Sequence, residues 1–161
     1  MEELKKRKHP RLKTHNYSES GMYFITVCAK DMKCIFGKIV GRGALTPPQT
    51  ELFYAGKILN KYINGINKVY ENVRVLNYVI MPNHFHIIIK INDNGGVRAP
   101  RPTVNEIIKG IKGLTTREIG YSVFQKSFYD HIIRDDEDYI TKAEYIENNP
   151  AKWLEDKYYI I

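Results

Sequence analysis

Residues 79–89, VIMPNHFHIII, decide the fold, because they predict the end of one strand, a turn at Pro82 and Asn83, and a second strand. Side chains two residues apart in a strand lie on the same face. His84 and His86 therefore share one face, and the phenylalanine and isoleucines that alternate with them share the other. The segment predicts a β-hairpin with one apolar face for the core and one face that carries two histidines.

The segments on both sides of this hairpin predict further strands and helices. Runs of apolar residues predict strands at residues 22–29, 73–81, 84–91 and 124–133. Apolar residues at helical spacing predict helices over residues 51–66, from the capping pair Thr103 and Glu106 to Gly120, and from Asp135 to Pro150. Residues 36–50 are expected to form a short strand and then a Gly/Pro loop.

The order of these elements predicts an α+β fold. The first six follow the ferredoxin-like βαββαβ plan with an antiparallel sheet, and the seventh is a C-terminal helix that carries Tyr145. In this plan two helices cover one face of the sheet. The other face is expected to be free, and a free sheet face is a common place to bind single-stranded nucleic acid.

The charge of the chain favours a polyanionic partner. The 161 residues carry a net charge of +7, with a pI of about 9.3, and nucleic acid is the commonest partner of such proteins. A merely soluble basic protein explains the charge alone equally well. The basic residues that we consider for DNA contact are Lys5, Lys6, Arg7, Lys8, Arg11, Lys13, Arg98 and Arg101.

The composition also predicts the domain organisation and the location. We expect a basic arm over residues 1–20 and one domain over residues 21–161. No apolar run approaches the ~18 residues that span a membrane. Residues 1–13 are charged and lack the apolar stretch of a signal peptide, so the expected location is the cytoplasm.

The histidine pair is a candidate metal site. Two imidazoles side by side on one strand face can chelate a divalent ion, which could polarise a phosphoryl oxygen and orient a scissile bond. A His-x-His pattern also occurs by chance. The alternative interpretation, a half-exposed strand with two unrelated polar residues, is therefore kept at this point.

The last predicted helix carries the second group of candidate residues. Asp138, Lys142, Tyr145 and Asn149 fall on one stripe of that helix. Tyr145 is expected at the edge of the buried face, where it could look into a site, and Asn149 could supply an oxygen ligand to the same metal. The alternatives are a packing tyrosine at the margin of the core and a residue that ends a helix before Pro150.

Four stretches of the chain resemble the HUH-type tyrosine transposases, especially the REP-associated group. They are residues 23–27 (YFITV), 81–86 (MPNHFH), 128–135 (FYDHIIRD) and 145–153 (YIENNPAKW). The resemblance extends over roughly residues 11–153, which is nearly the whole chain.

This resemblance implies a role for each candidate residue. His84 and His86 are the histidines of the HUH motif, Tyr145 is the nucleophile, and Asn149 is the third ligand of Mg²⁺ or Mn²⁺, four residues after the tyrosine. The implied activity is cleavage and rejoining of single-stranded or hairpin DNA through a 5′-phosphotyrosine intermediate, in DNA transposition or REP-element mobilisation. The implied protein is a monomer or a homodimer.

Two other functions compete with this DNA-cutting enzyme. One is a ferredoxin-like module that binds nucleic acid and has lost its activity. The other is a metal-dependent hydrolase that uses water, for which Tyr145 would be irrelevant. The joint presence of His84, His86, Tyr145 and Asn149 favours the enzyme with a tyrosine nucleophile, because a binding module does not need this set.

The basic arm generates a first prediction. Deleting residues 1–13 removes six lysines and arginines, which should weaken DNA binding and flatten its salt dependence by up to ~0.7 in slope for each lost phosphate contact. Fluorescence anisotropy with a labelled single-stranded hairpin, across a salt series, measures both quantities. An unchanged slope would show that the arm does not touch DNA.

Overall fold

The computed structural model describes residues 20–93 and 101–161. Its strands are β1 (Gly21–Cys28), β2 (Gly37–Val40), β3 (Gln49–Leu52), β4 (Val73–Ile80), β5 (His84–Ile91) and β6 (Tyr129–Ile133). Its α-helices are α1 (Tyr54–Val69), α2 (Val104–Ile119) and α3 (Asp136–Asn148). Single turns of 3₁₀ helix lie at Lys30–Met32 and Trp153–Glu155.

The main sheet has four strands in the order β4-β5-β1-β6, and each neighbouring pair is antiparallel. Along the chain, β1, α1, β4, β5, α2 and β6 follow one another as βαββαβ. The predicted α+β fold with an antiparallel sheet and a tyrosine-bearing final helix is confirmed. The central strands β5 and β1 each have a partner on both edges, so neither is an edge strand.

The region before α1 differs from the prediction. Residues 49–52 form β3, which pairs with β2 in a separate two-stranded sheet. Leu52 was expected in the helix because it lies at helical spacing from Ala55, but it pairs with Gly37 instead. Consequently α1 begins and ends three residues later than the spacing predicts.

The larger core lies between one face of the main sheet and helices α1 and α2. The alternating residues of β5 enter it as predicted, and all of them are fully buried: Phe85, Ile87, Ile89 and Ile91. Helix α2 begins at the predicted capping box of Thr103 and Glu106 and ends at Gly120, whose φ of 94° places it in the left-handed region that glycine adopts readily.

The second face of the sheet is covered by α3. Ile146 of α3 packs on Phe24, Ile88 and Ile133 of three different strands. His84 and His86 lie on this face and are 0% and 1% exposed. The expectation of a free second face is therefore wrong, because the last helix has an apolar stripe of its own to bury. In the part of the chain that the structure describes, no helix is long and apolar enough to cross a membrane.

Helix α1 approaches the main chain of Phe36 at Gly56. A Cβ built at Gly56 would overlap the carbonyl oxygen of Phe36 and press on the side chain of Leu52. That carbonyl oxygen also accepts a hydrogen bond from the backbone of Phe53, which holds it in place. The glycine thus allows the close contact that joins α1 to the segment before β2.

We expect Gly56→Ala to lower the free energy of unfolding by roughly 1–3 kcal/mol, because the added methyl group meets rigid backbone. Gly65→Ala, on the same helix, is the matched control, since a Cβ there meets nothing within 4 Å. It should raise stability by about 0.5–1 kcal/mol through helix propensity. Urea unfolding measures both, and equal effects would contradict the packing described here.

Candidate functional site

The centre of the candidate site is the histidine pair at the start of β5. The Nε2 atoms of His84 and His86 lie 3.1 Å apart. Two nitrogen ligands that bind one ion at ~2.1 Å, at right angles, lie about 3.0 Å apart. The separation therefore fits two adjacent ligand positions around a single divalent ion.

The outer nitrogen of His84 is held by Asn83. His84 Nδ1 donates to Asn83 Oδ1 over 2.8 Å, while Asn83 Nδ2 donates to the backbone oxygens of Tyr158 and Met32. Because the amide nitrogen faces two carbonyl oxygens, the amide oxygen must face the imidazole. This arrangement keeps the proton of His84 on Nδ1 and leaves a lone pair on Nε2.

The outer nitrogen of His86 lies against a hydroxyl. Thr26, directly opposite His86 on β1, places Oγ1 2.7 Å from His86 Nδ1. A hydroxyl can donate or accept, so Thr26 supports either tautomer of His86. His86 can therefore share an Nε2 proton with His84 or give it up and present a lone pair to an ion.

Burial makes both histidines neutral at physiological pH. Burial lowers the pKa of His84 to about 4, although Asp156 and Asn149 oppose the shift. Burial, followed by the neighbouring His84 and nearby lysines, lowers the pKa of His86 well below its usual value. The approach of Asp156 to within 3.8 Å of His84 Nε2 is therefore not an ion pair at neutral pH. Neutral imidazole is the form that binds metals.

Tyr145 of α3 stands beside this pair. Its ring lies 5.1 Å from the ring of His86, in an edge-on arrangement, and its side chain is 39% exposed. Burial and then Asp156 raise the pKa of Tyr145, whereas Lys157 and Asn149 oppose the shift. The hydroxyl is thus protonated at neutral pH and reaches both the histidine pair and solvent.

Tyr145 opens into a cleft of about 490 Å³ between α3 and the segment that follows it. The cleft is lined by Thr141, Glu144, Tyr145, Asn148, Asn149, Lys152, Glu155, Asp156 and Lys157. Asn149 is buried and Asp156 half-buried, whereas Lys152 and Lys157 are exposed. The cleft therefore carries both acidic and basic side chains beside Tyr145.

Asn149 lies immediately after α3 and is 3% exposed. Its Nδ2 donates to Asp156 Oδ2 over 3.1 Å, and its Oδ1 is buried without a hydrogen bond from the described residues. An unpaired buried amide oxygen is unfavourable unless it meets a ligand. The structure thus brings Asn149 to the site together with His84, His86 and Tyr145.

The sequence did not reveal Asp156 or Tyr158 as parts of the site. One ligand atom each from His84, His86 and Asp156 lies within 4.8 Å of the others. The Tyr158 ring lies 4.5 Å from that of His84, and Tyr158 also contacts Thr26 through its hydroxyl. Both residues reach the site by a turn after α3, and no spacing pattern in the sequence predicts that turn.

Most of the residues that were predicted to contact DNA lie outside the described part of the chain. Arg98 and the arm residues Lys5, Lys6, Arg7, Lys8, Arg11 and Lys13 lie outside the described residues. Arg101 is described, and its guanidinium donates to Asp93 over 2.7 Å. This surface pair neutralises much of the charge that Arg101 would bring to a phosphate.

The fold and the site define an α+β protein whose central strand carries a buried histidine pair beside a helix-borne tyrosine. No protein-family model matches the chain. An uncharacterized protein of Haemophilus influenzae is 34% identical, and the match covers 96% of this chain and 93% of that protein. A second Haemophilus influenzae protein, assigned to the REP-associated tyrosine transposases, is 22% identical over 85% of this chain and 74% of its own length.

A solved structure extends this comparison to the fold. It is a REP-associated tyrosine transposase bound to a REP hairpin, with a TM-score of 0.62 and 22% sequence identity. The match covers 89% of this chain and 74% of that one. The chain is thus similar to the REP-associated tyrosine transposases in sequence and in fold.

The contact between Thr26 and His86 generates a prediction. Thr26→Val keeps the shape of the side chain but leaves a buried ring nitrogen without its partner, which should lower stability by about 1–3 kcal/mol. It should also weaken Mn²⁺ binding by roughly 10–100-fold, as loss of an outer-shell partner usually does. Thermal unfolding with and without Mn²⁺ measures both effects.

Thr141→Val is the matched control, because Thr141 is exposed on α3 and bonds the backbone of its own helix. It should change neither quantity appreciably. If Thr26→Val binds Mn²⁺ as tightly as the wild type does, the hydroxyl has no part in orienting His86.

Proposed function

We propose that this protein is a transposase-like endonuclease that cuts and rejoins single-stranded DNA through Tyr145. The observation that carries the proposal is the edge-on contact of Tyr145 with His86, 5.1 Å between ring centroids, at the mouth of a cleft above the histidine pair. A nucleophile next to a metal-binding pair, open to a cleft that two lysines line, suits phosphodiester chemistry.

His84, His86 and Asn149 are the proposed ligands of Mg²⁺ or Mn²⁺. The two Nε2 atoms face each other at 3.1 Å, and the amide oxygen of Asn149 is buried without a hydrogen bond from the described residues. When bound, the ion would polarise a phosphate oxygen and stabilise the negative charge that builds up there.

Tyr145 supplies the attacking oxygen in the proposed reaction. Its Oη forms a bond to the phosphorus, and the bond from phosphorus to the 3′ oxygen breaks. The 3′ oxygen takes a proton from solvent and leaves as a hydroxyl, beside a 5′-phosphotyrosine link. The phenol proton leaves to solvent, to which the side chain is 39% exposed. Attack by the released 3′ hydroxyl, or by another one, reverses the step, so rejoining needs no nucleotide cofactor.

Two cations of the chain favour the reaction electrostatically. Lys157 lowers the pKa of Tyr145 against the effects of burial and Asp156, so it stabilises the phenolate that forms as the proton leaves. Lys142 holds its ammonium 5.1 Å from the ring centroid of Phe24, on the same side of the sheet. Both side chains can neutralise phosphates of a strand that lies along α3.

Hairpin DNA is the proposed substrate. The solved relative is bound to a REP hairpin, and the net charge of +7 suits such a partner. We extend the proposal to the arm residues and Arg98 as phosphate contacts, and to a role in DNA transposition or REP-element mobilisation. In this proposal, residues 21–161 form the catalytic domain.

The decisive variant is Tyr145→Phe. It keeps the ring, and therefore its contacts with His86 and Phe24, but removes the attacking oxygen. It should bind hairpin DNA and Mn²⁺ like the wild type and should form no covalent adduct, with cleavage reduced at least ~100-fold. A denaturing gel of labelled single-stranded hairpin DNA, incubated with Mn²⁺, resolves adduct from cleaved strand.

Two further tyrosines serve as controls. Tyr54→Phe, on the exposed surface of α1, should leave cleavage unchanged. Tyr158→Phe tests the competing nucleophile next to His84; burial raises the pKa of Tyr158 to about 12, and we expect adduct formation to persist without its hydroxyl. Cleavage by Tyr145→Phe without an adduct would indicate a hydrolase that uses water, and absence of cleavage in the wild type would indicate a binding module.

A further inference from the structure

The buried carboxylate of Asp156 has no place in the ligand set described so far. Its side chain is 1% exposed, although it belongs to a segment that lies outside the main sheet and the three long helices. Its Oδ2 lies 3.8 Å from Nε2 of His84. A carboxylate is rarely buried this completely unless it is paired or binds a metal.

We propose that Asp156 is an anionic ligand of the same ion as His84 and His86, and that Asn149 both contributes its amide oxygen and orients the carboxylate. The inference deepens the proposed function and rests on the metal site within it. One ligand atom from each of His84, His86 and Asp156 lies within 4.8 Å of the others, which is close enough for one ion to bind all three.

Two hydrogen bonds point the carboxylate at the histidines. Asn149 Nδ2 donates to Oδ2 over 3.1 Å, and the backbone N–H of Tyr158 donates to Oδ1 over 2.8 Å. Each oxygen therefore accepts one bond and keeps a lone pair. With its Nδ2 used in this way, Asn149 is left with only its Oδ1 for the site, and that oxygen is buried without a hydrogen bond from the described residues.

The charge of the site supports an anionic ligand. Two neutral imidazoles and a neutral amide would leave the whole charge of a divalent ion uncompensated in a buried environment, which is strongly unfavourable. Lys142 and Lys157 add further positive charge, because their ammonium groups lie 5.1 and 4.9 Å from the ring centroids of Phe24 and Tyr158, which contact the two histidines. A carboxylate at Asp156 offsets part of this charge and is a preferred ligand type for Mg²⁺ and Mn²⁺.

A short turn fixes the position of this carboxylate. After Asn149 the chain makes a 3₁₀ turn over Trp153–Glu155, and the backbone N–H of Asp156 donates to Trp153 O over 3.1 Å. The Trp153 side chain is nearly buried, with its ring 6.1 Å from that of His84 and 5.2 Å from that of Tyr159. The indole thus anchors the turn on the histidine pair and sets Asp156 beside it.

The test measures Mn²⁺ binding to the full chain by calorimetry, without DNA, so that it does not depend on cleavage. Asp156→Asn keeps the size and a hydrogen-bonding oxygen but loses the charge, and its Kd for Mn²⁺ should rise at least ~10-fold. Glu147→Gln makes the same change in charge on an exposed side chain of α3 that does not line the cleft, and its Kd should stay within about 2-fold of the wild type.

Asp156→Glu and His84→Ala separate the possible explanations. If Asp156 only stabilises the turn, Asp156→Asn will lower the unfolding temperature of the metal-free protein and leave the Kd unchanged, which would overturn the inference. If charge matters, Asp156→Glu should bind Mn²⁺ more tightly than Asp156→Asn, and equal loss in both would also overturn it. His84→Ala tests the proposed function itself. If His84→Ala loses Mn²⁺ binding and Asp156→Asn keeps it, only the role of Asp156 is refuted. If both variants bind Mn²⁺ normally, the metal site is refuted.

Discussion

The two-residue alternation of β5 is the constraint on which the rest of the site depends. One row of its side chains is entirely apolar and fills the core against α1 and α2, so the register of the strand cannot slip by one residue without exposing that row. The other row begins with His84 and His86. Because β5 lies between β4 and β1, this row cannot turn to the edge of the sheet, and the histidines become buried as soon as a layer covers them.

Helix α3 is the layer that covers the histidines, so the site combines side chains from the sheet with a side chain from this helix. The histidines stand on a central strand and are held by Asn83 and Thr26, which belong to the same hairpin and the adjacent strand. As the proposed metal ligands, the histidines would keep their geometry on this rigid frame without help from a bound ion. Tyr145 instead stands at the margin of α3, where it contacts His86 and still remains 39% exposed. The proposed attack on a large substrate requires this exposure.

The sequence predicted the parts of this arrangement that are local. The alternation around His84, the capping box at Thr103 and the helical stripe of Tyr145 each depend on residues within about ten positions of one another, and each was confirmed as structure. The strand that contains Leu52 was missed because Leu52, its one apolar residue, also fits the helical spacing of the residues that follow. The approach of Asp156 was missed because it depends on a turn anchored by Trp153, a contact that no local pattern encodes.

The segment after α3 therefore brings two charged residues, Asp156 and Lys157, to the site. Asp156 raises the pKa of Tyr145, whereas the adjacent Lys157 lowers it. The buried carboxylate and the exposed ammonium act in opposite directions because their charges have opposite signs, and both line the cleft at Tyr145. A positive charge that neutralises Asp156 would remove one of the effects that raise the pKa of Tyr145, while burial would still raise it. In the proposed site, the acidity of Tyr145 would therefore respond to an ion bound at the histidine pair, because Asp156 lies close to both.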